Sequence, residues 1–246
     1  MYNESMGFIV YAPRGWGKSS FQFHVGAELL ALSGQPPDWE AIKKWIIFTP
    51  REFADIILKT HDRHLILLWD DAGFWLNRLF WYEPFVKETM RYMTLQRTQF
   101  AAIMFSTPSL AFLPGKLIDL EDVYRVKIYK ANKYGNAQSD WDSPNKRPRL
   151  AWVKQPWYSD DLKRRGTATK WKDHFSAMMP DPFFKWYEPK RESYRKLAAE
   201  KIEDAVLKSA SQTQRQRLEA VEDEIGKTIP EAEKVSELTE VIDQFQ

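Results

Sequence analysis

Cysteine is absent from the 246 residues. Disulfides and thiolate metal sites are therefore excluded, and the composition fits an intracellular setting and, less directly, a hot one. Net charge is also scarce. With 36 Lys and Arg against 34 Asp and Glu the chain carries only +2, so any nucleic-acid contact has to come from a local patch. No apolar run approaches the roughly eighteen residues that span a bilayer. The start, Met1-Tyr2-Asn3-Glu4-Ser5, has no basic segment leading into an apolar one, so no signal peptide is expected. The expectation is a cytoplasmic protein without membrane insertion. Histidine is rare: His61 and His64 flank Asp62-Arg63 without further ligands nearby, which disfavours zinc. Aromatic residues are plentiful, with 11 Trp, 10 Tyr and 15 Phe, enough for a substantial core and some exposed aromatic surface.

The most informative stretch is Met6–Ser20. An apolar, β-prone run (Phe8, Ile9, Val10, Tyr11) stops at Ala12-Pro13-Arg14-Gly15-Trp16-Gly17-Lys18-Ser19-Ser20. Helical spacing follows in Phe21, Val25, Leu29 and Leu32, with Gly34 as the expected end. Strand, glycine-bearing turn, then Gly-Lys-Ser opening a helix is the P-loop arrangement. Loop amides and the helix dipole face a phosphate there. The nucleotide-binding set is Pro13, Arg14, Gly15, Trp16, Gly17, Lys18, Ser19 and Ser20. Lys18 reaches the β- and γ-phosphates of ATP, and Ser19 enters the Mg²⁺ shell. One departure stands out: Ala12 occupies the usual first-glycine position. A chance glycine turn is the alternative.

His64–Asp71 (HLILLWDD) reads as a strand covered on both faces that ends in two acids. Carboxylates at such a strand end need a cationic partner. Asp70 is expected to hold the metal through water, with Asp71 orienting or deprotonating the attacking water; an Asp-Asp turn capping the next segment is the alternative. Phe100–Phe105 is a further strand, followed by Ser106-Thr107-Pro108-Ser109. Thr107 is the chosen polar tip for water or γ-phosphate, Ser106 the reserve, and a plain turn the alternative.

Elsewhere, Asp38 caps a short helix over 39–44, Trp45–Phe48 is a strand, and Pro50 opens a helix to about Thr60. Ala72–Glu83 is aromatic and irregular: an exposed loop, a subunit contact, or buried packing. Pro84–Gln96 is helical, Val123–Ala131 a half-exposed strand, and Leu150–Trp157 its antiparallel return. Basic residues concentrate in Lys146, Arg147, Arg149 and Lys154, then Lys163, Arg164, Arg165, Lys170 and Lys172, among Trp141, Trp152, Trp157, Tyr158 and Trp171. Cations with aromatics suit a nucleic-acid backbone with stacked bases; a solvated loop is the alternative. Phe175–Tyr187 reads as a docked turn, and helical spacing from Pro189 onward as docking helices for a protein partner or a frayed terminus.

One strand separates the phosphate loop from the Asp70-Asp71 strand, and the Ser106-Thr107 strand must reach the same nucleotide. The strand order is therefore 5-1-4-3-2, with the ligand at the carboxyl ends. The fold class is α/β: a P-loop NTPase three-layer sandwich, mostly parallel, with a β-hairpin extension and C-terminal helices. Residues 1–188 form the P-loop ATPase domain (core about 6–131, hairpin extension about 123–157), and 189–246 a helical extension.

In chain order the phosphate loop, the Asp pair, the arginine-bearing helix and the polar strand tip resemble the small P-loop ATPases of archaeal viruses and plasmids. Those in turn resemble DnaA-like AAA+ and FtsK/HerA-like DNA motors. The resemblance covers residues 6 to about 131 well. It implies ATP hydrolysis with Mg²⁺ driving work on DNA, in the host cytoplasm if a virus or plasmid carries the gene. It implies a homo-oligomeric ring, a hexamer being the form considered, in which a neighbour's arginine completes each site: Arg97 first, Arg91 or Arg125 otherwise. DNA contact falls to Lys146, Arg147, Arg149, Lys163, Arg164 and Arg165. A nucleotide-gated assembly or genome-packaging protein is the second reading. A kinase fits less well, since no arginine-rich lid is found.

Overall fold

The computed structural model describes residues 5–31, 35–93, 95, 98–120, 122–131, 137–138, 148–159 and 165–200. The chain divides into two compact units, Met1–Trp186 and Tyr187–Gln246.

In the first unit, five parallel strands are β1 (Met6–Tyr11), β2 (Ile46–Ile47), β3 (His64–Trp69), β4 (Phe100–Thr107) and β5 (Val123–Ala131). They lie in the order β2-β3-β4-β1-β5, which is the 5-1-4-3-2 arrangement. Val10 stands level with Ser106, and Leu68 with Met104. The phosphate loop, the Asp pair and the Ser106-Thr107 tip consequently share the carboxyl edge. The central strands are continuous apolar runs because helices cover both faces. On one face Ile9, Leu67, Trp69, Ile103, Phe105 and Val123 pack with Phe53 of α2 (Pro50–Lys59) and Met93 of α4 (Pro84–Met93). On the other, α1 (Lys18–Leu30) lies so close that a Cβ on Gly26 would sit 2.9 Å from Leu68.

Local signals behave as chemistry requires. Thr49 and Glu52 form a reciprocal capping box ahead of Pro50. Asp38 accepts from the Glu40 and Ala41 amides at 3.2 and 2.8 Å, opening a 3-10 turn over Ala41–Trp45. Helix α1 ends at Leu30, short of the expected Gly34, with Ala31 already extended at φ −67°, ψ 144°; the helix end expected at Gln96 falls outside the described residues.

Three expectations need correction. The antiparallel part of the sheet is larger than expected, because β6 (Ala137–Gln138) and β8 (Arg165–Ser176) join β7 (Pro148–Tyr158), the expected antiparallel return, beyond β5. Strand β8 was read as basic stretch and turn: its residues 167–174 are exposed, so no buried face imposes alternation on them, and pairing with β7 alone makes it a strand. The segment from Phe175 docks as expected, with the Phe175 and Phe183 rings 5.1 and 5.4 Å from those of Phe21 and Phe23, but residues 181–186 are helical rather than a turn. In the second unit residues 187–200 are helical, and the missing amide of Pro189 removes a rung without ending the helix there.

Between β3 and α4, α3 (Ala72–Trp75) packs on β4 with Gly73 against Thr107. A Cβ at Gly73 would lie 2.2 Å from Thr107 Oγ1 and 2.9 Å from its Cβ. Gly73→Ala should therefore cost about 1–3 kcal/mol by overpacking. Gly115→Ala in α5 (Gly115–Ile118) meets only Asp119 Oδ2 at 3.9 Å and should be neutral or stabilising by up to about 1 kcal/mol. Urea unfolding midpoints of the two variants check the contrast.

Candidate functional site

Strand β1 delivers the chain to the carboxyl edge, where Ala12–Gly17 turns back into α1. Gly15 and Gly17 have φ of 77° and 94°, a region that L side chains avoid. Ala12 does not share it, since Asp71 is the one non-glycine with positive φ among the described residues. The missing first glycine therefore carries no backbone strain. Pro13, Arg14 and Gly15 form the exposed tip. Lys18 is 7% exposed and donates from Nζ to the Ala12 and Pro13 carbonyls at 3.0 and 3.3 Å, so its ammonium lies within the turn.

Strand β3 delivers Asp70 to the same edge with no exposed surface. Its Oδ1 accepts from Ser19 Oγ at 2.8 Å and from Ser106 Oγ at 2.7 Å. Hydrogen bonds to a charged group of this kind contribute about 1.5–3 kcal/mol each and offset the cost of burial. Ser106 Oγ also accepts from the Asp71 amide at 2.7 Å. Asp71 is exposed and left-handed at φ 50°, ψ 32°, a conformation that costs most residues roughly 1–2 kcal/mol and Asp less.

The Thr107 choice does not survive the geometry. Its hydroxyl donates to the Ser109 carbonyl at 2.9 Å and packs on Gly73. Successive strand residues point to opposite faces, so Ser106, the reserve, is the one beside Asp70. Arg149, expected on a DNA-facing surface, is 2% exposed. It donates from Nε to the Trp16 carbonyl at 2.8 Å and from Nη1 to the Pro148 carbonyl at 2.9 Å. Strand β7 is antiparallel to β5, so its first residues lie at the carboxyl edge beside the loop.

Ser20 of the loop motif donates to the Ala177 carbonyl at 2.8 Å, and His24 lies 2.9 Å from the Met178 carbonyl. Docking of the segment after β8 was expected from the sequence; that it docks on α1, through the Ala177 and Met178 carbonyls, is what the fold adds.

Among the arginines, Arg97 lies outside the described residues. Arg91 is on the exposed side of α4, 2.5 Å from Glu88. Arg125 is held in the sheet, 3.1 Å from the Ile118 carbonyl and 3.5 Å from Asp119, with its side chain 18% exposed. Burial pushes the Tyr11 phenol above its usual pKa, Tyr129 adding to the shift and Arg125 opposing it. The group leading into the loop thus stays neutral.

No protein-family model matches the chain. It is 26% identical over 214 residues to uncharacterized protein B-251 of Sulfolobus spindle-shape virus 1, covering 84% of this chain and 81% of that protein. Among solved structures, the N-terminal domain of zonular occludens toxin from Neisseria meningitidis is similar over 74% of this chain and 98% of that one. Identity there is 12% and the TM-score 0.34, too loose a likeness to carry argument. The functional reading consequently rests on the residues.

Ser106→Ala removes both the Asp70 donor and the Asp71 amide's acceptor, leaving a buried carboxylate short of a bond. It should cost about 1–3 kcal/mol. Thr107→Val, which loses one ordinary bond, should cost about 0.5–1.5 kcal/mol. Denaturant midpoints at unchanged m-value check the order.

Proposed function

We propose that this chain is a magnesium-dependent ATPase of the P-loop type, coupled as a homo-oligomer to work on DNA. The observation that supports the nucleotide part most directly is the bond from Ser19 Oγ to Asp70 Oδ1 at 2.8 Å, beside a glycine turn that encloses a lysine ammonium. This donor set suits the metal: hydroxyl and carboxylate oxygens are the hard ligands that Mg²⁺ prefers.

Magnesium-bound ATP, when held here, supplies the phosphoanhydride and an electrophilic γ-phosphorus. The chain's own residues do the rest. Loop amides and Lys18 bind the β- and γ-phosphates and oppose charge that builds on them. Ser19, and Asp70 through water, would hold the metal. Asp71, at the exposed end of β3, orients the attacking water and accepts its proton. Ser106 keeps the two acids in place by bonding one side chain and the other's amide.

The DNA part is supported by a cationic and aromatic cluster on β5, β7 and β8. Lys154 and Lys172 Nζ lie 4.5 and 4.6 Å from the Trp152 ring, and Lys127 Nζ lies 4.9 Å from that of Tyr129. Lys146, Arg147, Lys163, Arg164 and the side chain of Arg165 lie outside the described residues, and remain proposed contacts.

A nucleotide-gated assembly or packaging role is the second reading. It is favoured by Leu79, Trp81 and Tyr82, at 68%, 63% and 54% exposure, shortly after Asp71. Large apolar side chains clustered in solvent mark interaction surfaces. A viral relative suits action in a host cytoplasm. Among the described residues no helix is long and apolar enough to cross a membrane.

Lys18→Ala should lower ATP affinity about tenfold or more, read by calorimetry. Asp71→Asn should keep binding and lower turnover by about a hundredfold or more. Duplex or single-stranded DNA should stimulate ATP hydrolysis, with affinity falling log-linearly in salt. Turnover indifferent to DNA, with no affinity at low salt, would replace the DNA reading by the protein-partner one.

A further inference from the structure

The antiparallel half of the sheet reaches back to the phosphate loop, and its contact is made by a buried charge. Arg149 Nε donates to the Trp16 carbonyl at 2.8 Å. The Trp16–Gly17 peptide is trans, there being no cis bond among the described residues. In a planar trans peptide the C=O and N–H point in opposite directions. Holding the Trp16 oxygen toward Arg149 therefore turns the Gly17 N–H away from the hairpin. Gly17 itself is left-handed at φ 94°, a conformation with neighbours on its outer side: an added Cβ would meet Ala177 Cβ at 3.1 Å and Arg149 Cγ and Nε at 3.6 Å. The Trp16 ring is met from the same side, with Lys130 Nζ 5.5 Å from its centroid.

We propose that Arg149 is a positioning residue for the phosphate loop: it locks the Trp16–Gly17 peptide plane so that the Gly17 amide is aimed at a bound phosphate, and its guanidinium adds positive charge behind that amide. The inference rests on the nucleotide reading above. The chemistry is suited to an always-charged, planar donor that can span two carbonyls, here those of Trp16 and Pro148. The strand pairing fixes its place, because Arg149 stands between Lys130 of β5 and Phe175 of β8. The Phe175 ring lies 5.1 Å from that of Phe21 in α1, and Ser20 is bonded to Ala177. The loop and the first turn of its helix are thereby tied to two adjoining strand ends. Reorganisation of the loop for phosphate is avoided, the usual benefit of preorganised amides.

Calorimetric titration with Mg·ATP, and the thermal midpoint with and without it, test the proposal on the full chain. Arg149→Met should weaken Mg·ATP binding by about tenfold or more, as misaimed binding groups do. It should also shrink the rise in midpoint that saturating Mg·ATP produces. A residue that only supports the fold would lower both midpoints together and leave the rise unchanged. Should the Met variant not fold, Arg149→Lys carries the test: it keeps the charge but not the planar fork, so at least a threefold loss of affinity is expected. Wild-type affinity in either folded variant, or an undiminished rise in midpoint, overturns the inference. Absence of Mg·ATP binding by the wild-type chain at millimolar ligand would instead sink the nucleotide reading, and the inference with it.

Discussion

A carboxylate without exposed surface must be met by donors, and at Asp70 the hydroxyls of Ser19 and Ser106 both donate to a single oxygen. These residues come from three separate elements: the start of α1, the end of β3 and the end of β4. The arrangement exists only if β4 lies between β1 and β3 with its carboxyl end level with theirs, and the parallel register supplies that. Strand order, register and site geometry are consequently one constraint seen three ways. A register slip of one residue would turn Ser106 away and bring Thr107 round, replacing a site-facing hydroxyl by one that packs on α3.

The loop depends on a second support. A turn with Gly15 and Gly17 both at positive φ has few intrinsic preferences to hold its shape. The shape comes from outside, through Arg149 and Ala177 at the adjoining ends of β7 and β8, and from Lys18 bonding the loop's own carbonyls. The antiparallel strands thus extend the sheet and also close over its working edge. Midway along them Lys154 and Lys172 lie over the half-buried Trp152 ring, so the same two strands connect the loop with the surface on which the DNA reading draws.

Much of this was legible in the chain. Gly-Lys-Ser after an apolar run placed the loop; two acids after HLILLW placed the carboxylates of the neighbouring strand end; the chain order of strands narrowed the parallel part of the sheet to 5-1-4-3-2. Each signal is local in sequence and physically strong: a glycine where φ is positive, a carboxylate where burial requires a partner, an uninterrupted apolar run where both faces are covered. Strand β8 was not legible, because its exposed residues 167–174 have no hydrophobic alternation to display. Nor was Arg149, whose position in a basic stretch argued for solvent while its pairing put it beneath the loop.

By itself, then, the sequence determined which side chains stand at which strand ends, since motif spacing and apolar patterning depend only on near neighbours along the chain. Tertiary structure decided which of two adjacent hydroxyls faces Asp70, that Ala12 escapes strain, and that a buried arginine supports the loop. Those outcomes turn on register and on contacts between residues as far apart as Trp16 and Arg149, and only folding brings such residues together.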